Sequence, residues 1–80
     1  MKASELQVGD LLTNCNGYPN IFVKIENGLS HEIDGRNPDR AFSIDVKHLN
    51  RWLKDGHIAT VHRNGVQIHP ASQAEKEVGL

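Results

Sequence analysis

The dipeptide Asn-Gly occurs three times in this chain of 80 residues, and it constrains the fold more than any other feature of the sequence. The copies are Asn16-Gly17, Asn27-Gly28 and Asn64-Gly65, and each lies between short runs that contain β-branched or aliphatic residues. A two-residue type I′ turn requires positive φ at both central positions, which Asn and Gly adopt more readily than other residues. The sequence therefore predicts a small antiparallel sheet built from hairpins.

Two of these turns also predict which side chains share a face of the sheet. Pairing through Asn27-Gly28 puts Phe22, Leu29 and Ile33 on one face. Pairing through Asn64-Gly65 separates an apolar face from a polar one. The apolar face is expected to hold Ala59, Val61, Val66 and Ile68, and the polar face Thr60, His62, Gln67 and His69.

Two loops and a tail interrupt the predicted strands. The first hairpin is expected to have a wide loop from about Asn14 to Asn20, because Pro19 has no N–H to donate. The segment 34–40 contains Gly, Pro and four charged residues, which predicts an exposed loop. We expect one domain over residues 1–70 and a polar, frayed C-terminal tail over residues 71–80.

One helix is predicted at about residues 45–54. Val46, Leu49 and Leu53 fall on one stripe at helical spacing, and Gly56 is a typical stop signal just beyond it. Ser43 or Asp45 is expected to cap the first turn. The predicted fold class is therefore α+β, with about five strands in a twisted or barrel-like sheet. The alternative is an open α+β sheet packed on the helix.

Charge is distributed unevenly along the chain, although the formal net charge is only −1. Residues 1–35 carry two basic and five acidic side chains, whereas residues 36–63 carry six basic and three acidic ones. This polarity favours docking on an acidic protein surface, or self-association, over general attraction to a phosphate backbone.

The predicted helix concentrates part of that positive charge on one face. Lys47, Arg51 and Lys54 recur at i, i+4 and i+7, opposite the apolar stripe. A tryptophan at the flank of a basic face is a frequent interface anchor. The candidate partner-binding residues are Lys47, His48, Arg51, Trp52, Lys54, Arg40 and Arg63. An ordinary solvated helix face would show the same spacing, and a nucleic-acid-binding face is a further alternative.

Metal binding and catalysis find little support in the sequence. Of the five histidines, His62 and His69 are the one pair expected to share a face, and no third ligand is evident beside them. The single cysteine, Cys15, cannot form an intrachain disulfide and lacks an obvious activating base. We expect no enzyme, no cofactor and no catalytic residue, and we keep a metal-binding protein or metal-dependent enzyme as the third hypothesis.

The opening phrase Glu5-Leu6-Gln7-Val8-Gly9-Asp10-Leu11-Leu12 resembles the entry of small SH3-like barrel modules. The resemblance covers about the first 25 residues. It implies a barrel and a binding platform for peptides, proteins or nucleic acids, and it carries no functional residue over to this chain. Fold analogy of this kind adds little to a functional argument.

Together these features predict a small non-enzymatic accessory or regulatory protein that acts through protein–protein contacts. Ile21-Phe22-Val23, the longest apolar run, is far too short to cross a bilayer, and Met1-Lys2 does not lead into an apolar signal core. A cytosolic location is expected. Compact proteins of this kind also occur in bacteriophages and mobile elements, and we expect such an origin for this chain.

Overall fold

The computed structural model describes residues 1–70 and contains one short 3₁₀ helix, six strands and one α-helix. The 3₁₀ turn spans Ala3–Glu5. The strands are β1 (Leu11–Asn14), β2 (Pro19–Glu26), β3 (Leu29–Asp34), β4 (Ala41–Asp45), β5 (Ile58–Arg63) and β6 (Val66–His69), and the helix, α1, spans Val46–Asp55.

The six strands form one antiparallel sheet in the order β4-β3-β2-β1-β5-β6. Within residues 1–70 the two outer strands, β4 and β6, do not pair with each other, so the sheet is open and does not close into a barrel. The α+β class is confirmed, and of the two predicted arrangements the open sheet with its helix is the one observed.

The strand that sequence analysis missed is β4. Its five residues, Ala41–Asp45, alternate in the strand period and pair along their full length with β3, from Leu29 opposite Asp45 to Ile33 opposite Ala41. Ser43 was considered as a helix cap, but it lies inside this strand. The predicted loop therefore ends near Arg40, and β4 leads directly into the helix.

Helix α1 has the predicted boundaries within one residue. The Asp45 side chain accepts a hydrogen bond from the Lys47 N–H at 2.8 Å, which caps the first turn. Gly56 ends the helix in the left-handed conformation with φ 88°, where a side chain would be strained. The helix packs on one face of the sheet, called here the inner face. The buried core comprises Ala3, Leu6, Leu12, Phe22, Leu49, Leu53, Ile58 and Val61.

The turns at Asn27-Gly28 and Asn64-Gly65 have positive φ at both residues, as predicted. The first hairpin has the wider loop that was expected, because β1 ends at Asn14 and β2 begins at Pro19. The Asn14 carboxamide oxygen accepts hydrogen bonds from the N–H groups of Asn16 (2.9 Å) and Tyr18 (3.0 Å), which holds this loop closed.

A β-bulge at Val23 makes the predicted pairing of β2 with β3 wrong beyond the first three pairs from the turn. The register shifts between Phe22 and Lys24, so that Phe22 lies opposite Glu32 and not opposite Ile33. An extra residue on one strand moves every following side chain relative to its partner strand. Ser30 and Glu32 consequently face the core with Phe22, whereas the side chain of Leu29 is exposed.

A second bulge corrects the prediction for the last hairpin. His62 lies opposite Gln67 as expected, but the register then shifts, and His69 lies opposite Val61. Ile68 is the extra residue, and it packs against the core. His69 therefore does not share the face of His62, as the unshifted register had implied.

Candidate interaction surface

The basic face is defined here as Lys47, Arg51 and Lys54 on helix α1. All three residues are exposed, while Leu49 and Leu53 on the opposite side of the helix are 0% and 2% exposed. Within residues 1–70, the two ion pairs are Lys24–Glu26 and Arg63–Asp10. No described carboxylate therefore neutralises the basic face, and its charge is available to a partner.

Trp52 borders the basic face at the flank of the helix. Its half-buried side chain packs against the core, and the centroid of its ring lies 6.4 Å from that of His48 and 4.7 Å from that of His57. Sequence analysis missed His57. The stop signal at Gly56 could have indicated it, because a left-handed residue turns the chain back along the end of the helix.

Asp55 holds this reversal in place. Its carboxylate oxygen accepts a hydrogen bond from the His57 N–H at 2.9 Å, and the His57 carbonyl accepts one from the Cys15 N–H at 2.8 Å. The chain after Gly56 is thereby tied to the loop that follows β1. The sequence-predicted pair His48 and Trp52 thus lies beside His57, whose main chain is hydrogen-bonded through both its N–H and its carbonyl.

Arg63 and Arg40, the two arginines expected to extend the basic face, occupy different environments. The Arg63 guanidinium donates from Nε to Asp10 Oδ1 at 2.9 Å and from Nη2 to Asp10 Oδ2 at 2.8 Å, and Nη2 also reaches the Glu5 carbonyl at 3.1 Å. Its positive charge is therefore already paired with the carboxylate of Asp10. Arg40 lies exposed in the loop between β3 and β4.

Asp10 is the buried half of this ion pair and is 1% exposed. Its Oδ2 atom also accepts a hydrogen bond from the Gln7 N–H at 2.8 Å. The hydrogen bonds from Arg63 are the largest influence on its pKa and hold it below the ordinary value of an aspartate. The bidentate pair joins β5 to the segment before β1, 53 residues apart in sequence, and so acts as a structural fastening.

The histidines and the cysteine are dispersed. His62 lies on the outer face of the sheet, which is the face without the helix, and His69 lies on the inner side, where burial lowers its pKa. In the part of the chain that the structure describes, no group of three or more His, Cys, Asp or Glu side chains is arranged to hold a metal ion. Cys15 is exposed in the loop after β1.

Sequence analysis also missed a buried carboxylate, Glu32, which is 1% exposed on the core side of β3. The Ser30 hydroxyl donates to its Oε2 atom at 2.9 Å, and no group in residues 1–70 donates a hydrogen bond to its Oε1 atom. Burial raises the pKa of Glu32, and the single hydrogen bond from Ser30 opposes that shift only in part. No local signal in the sequence indicates this burial, because it depends on the bulge at Val23.

The outer face of the sheet is mixed in polarity. Leu11, Ile21 and Ile33 are half-buried there, and the Ser43 hydroxyl lies 3.0 Å from His31 Nδ1. Two shallow hollows of about 500 and 340 Å³ lie near β1–β5 and β3–β4. Neither contains a converging set of charged groups, so they offer less to a ligand than the basic face does.

Comparisons with known proteins do not assign a function to this arrangement. A scan against protein-family models and searches of curated proteins and of solved structures gave no match to the chain. Among residues 1–70, no helix has both the length and the apolar character needed to cross a membrane.

Proposed function

We propose that this protein is a non-enzymatic binding module that recognises an acidic protein surface through the basic face of α1. The observation that carries the proposal is the exposure of Lys47, Arg51 and Lys54 without a described ion-pair partner. The opposite side of the same helix is held in the core by Leu49 and Leu53. The helix is thus held rigidly while its cations remain free to pair with carboxylates of a partner.

Trp52 gives the basic face an apolar border. A half-buried indole that already packs against the core and lies close to the His57 ring loses little conformational entropy when a partner covers it. Aromatic residues beside cations are common anchors of protein interfaces. Protein partners fit this combination better than nucleic acid does, because the formal net charge of the chain is −1 and the cations form one local patch.

The test compares two variants with the same change in charge. The first reverses the basic face with Lys47→Glu, Arg51→Glu and Lys54→Glu. The control reverses three exposed cations elsewhere, with Lys2→Glu, Lys24→Glu and Arg36→Glu. Both are checked for folding by circular dichroism, and wild type and variants are then used as bait in native lysate with and without nuclease, at low and at high salt.

We expect a defined protein to be retained in stoichiometric amount by wild type and by the control, and to be lost with the basic-face variant. The purified partner should then show at least a tenfold weaker Kd for that variant in calorimetry, which corresponds to about 1.4 kcal/mol. Equal loss with both variants would contradict a local site. Retention that disappears on nuclease treatment, with a steep dependence on salt, would instead indicate a nucleic-acid-binding face.

A further inference from the structure

The two edges of the open sheet differ in how well they are protected against pairing with another strand. At one edge, β6 has only four residues, its ladder is broken by a bulge, and Pro70, which has no N–H, follows directly. At the other edge, β4 pairs with β3 over five consecutive residues without a bulge and contains no proline. Bulges, short strands and prolines are the usual protection of a sheet edge, so β4 is the open one.

The hydrogen bonds at the two ends of β4 show which of its main-chain groups face away from the sheet. The Arg40 carbonyl accepts from the Asp34 N–H, and the Val46 N–H donates to the Gly28 carbonyl, both at 2.9 Å. Main-chain groups alternate in direction along a strand, so Arg40, Phe42, Ile44 and Val46 point toward β3. Ala41 and Ser43 therefore direct their N–H and C=O groups outward, where no described strand receives them. The Asp45 N–H points the same way, whereas its carbonyl belongs to the first turn of α1.

The same edge also carries apolar side chains that residues 1–70 leave partly exposed. Phe42 lies opposite Glu32 on the inner face and is 37% exposed. Ile44 lies opposite Ser30 on the same face and is packed only in part against the core. An edge strand that presents both free main-chain groups and an exposed aromatic ring is a template for a further strand.

From these features we propose that two copies of the chain associate through β4, which pairs antiparallel with itself about a two-fold axis at Ser43. This register sets outward-facing residues against each other, as a hydrogen-bonded ladder requires. Ser43 then exchanges both main-chain hydrogen bonds with Ser43 of the second copy. On either side, the Asp45 N–H of one copy donates to the Ala41 carbonyl of the other.

The side chains match in the same register. Phe42 of each copy lies opposite Ile44 of the other on the inner face, which covers the exposed ring with an aliphatic partner. Asp45 of each copy lies opposite Ala41 of the other, so no two like charges face each other within the paired strands. This match favours a second copy of the chain over an unrelated peptide as the occupant.

The dyad position gives a sharp test, because each substitution at residue 43 occurs twice at the centre of the interface. Ser43→Lys and Ser43→Glu each place like charges opposite one another, whereas an equimolar mixture of the two variants places opposite charges there. Ser43→Ala is the matched control, since it removes the hydroxyl near His31 but leaves the main chain unchanged. Val66→Lys adds a charge at the other edge, on a residue that is 63% exposed.

Sedimentation equilibrium of the full chain over a range of concentrations provides the measurement. We expect wild type, Ser43→Ala and Val66→Lys to reach twice the monomer mass, each single charged variant to remain monomeric, and the mixture to recover the dimer. A wild-type chain that stays monomeric at its highest soluble concentration would overturn the proposal. So would a dimer that persists equally in both charged variants, because the contact would then lie elsewhere.

Discussion

Asp10 and Glu32 are both 1% exposed, yet their surroundings differ in every other respect. Asp10 accepts two hydrogen bonds from Arg63 and one from the Gln7 N–H. Among the described residues, Glu32 accepts one hydrogen bond, from Ser30, and its second oxygen has no partner. The pKa of Asp10 is accordingly lowered and that of Glu32 raised.

This contrast shows that burial alone does not decide whether a carboxylate stabilises a fold. The hydrogen bonds that a carboxylate accepts from a planar guanidinium compensate for the hydration free energy that it loses on burial. In this protein the same pair also connects two segments that are distant in sequence. A carboxylate with an unpaired oxygen costs free energy at neutral pH, which the rest of the fold must offset. Asp10 is therefore a stabilising group near pH 7, and Glu32 is a destabilising one.

The largest effect is expected when the paired carboxylate is neutralised. Asp10→Asn should lower the free energy of unfolding at pH 7 by about 2 kcal/mol, because it weakens charge-assisted hydrogen bonds to Arg63, whose partial exposure to solvent moderates the loss. Urea unfolding at constant salt measures this change. Leu12 and Phe22 keep the core intact, so the variant should remain folded in the absence of urea.

The same substitution should lose its effect in acid. Because the pKa of Asp10 is lower in the folded protein than its ordinary value of 3.8, the stability it contributes is present above pH 3.8 and is lost as the pH falls through the folded value. The difference between wild type and Asp10→Asn should therefore shrink below pH 3.8. A difference that stays constant down to pH 2 would show that shape, and not charge, matters at this position.

Neutralising the carboxylate of Glu32 should change the free energy of unfolding in the opposite direction. Glu32→Gln should raise the free energy of unfolding at pH 7 by about 1 kcal/mol, because it removes a buried negative charge while keeping the shape of the side chain. The folded pKa of Glu32 lies above its ordinary value of 4.5, so its penalty is absent below pH 4.5 and grows as the pH rises through the folded value.

Urea unfolding of wild type and Glu32→Gln at pH 4 and pH 7 checks this prediction. The two proteins should have nearly equal stability at pH 4, and the variant should be the more stable at pH 7. Glu26→Gln is the control, since that carboxylate is exposed and paired with Lys24 at the surface. A loss of stability in Glu32→Gln at pH 7 would contradict the assignment of Glu32 as an uncompensated buried charge.

The sequence was sufficient for the local features and insufficient for the contrast between the two carboxylates. Asn-Gly turns and the helix stripe act over a few residues, so Asn27, Asn64 and the helix boundaries were predictable. The bulge at Val23 was not, because its place in the ladder is fixed by packing on both faces of the sheet. An error of one residue there separated Glu32 from Phe22, with which it faces the core.

The candidate site also has one part that the sequence predicts and another that depends on tertiary contacts. The basic face follows from helical spacing alone, and the structure confirms that Lys47, Arg51 and Lys54 are exposed. The contact of Trp52 with His57 and the pairing of Arg63 with Asp10 depend on how separate segments meet. Charge counts treated Arg63 as a free cation, because a count along the chain carries no information about contacts 53 residues apart.

The smallest effect is expected at Ser30 once Glu32 carries no charge. In the Glu32→Gln background, Ser30→Ala should cost only about 0.5 kcal/mol, the lower end of the range for a neutral hydrogen bond, whereas in wild type it leaves a buried carboxylate without any described partner and should cost more. A double-mutant cycle by urea unfolding at pH 7 measures this difference. If the two costs are equal, Ser30 stabilises the core by packing alone, and the carboxylate must be compensated by a group other than its hydroxyl.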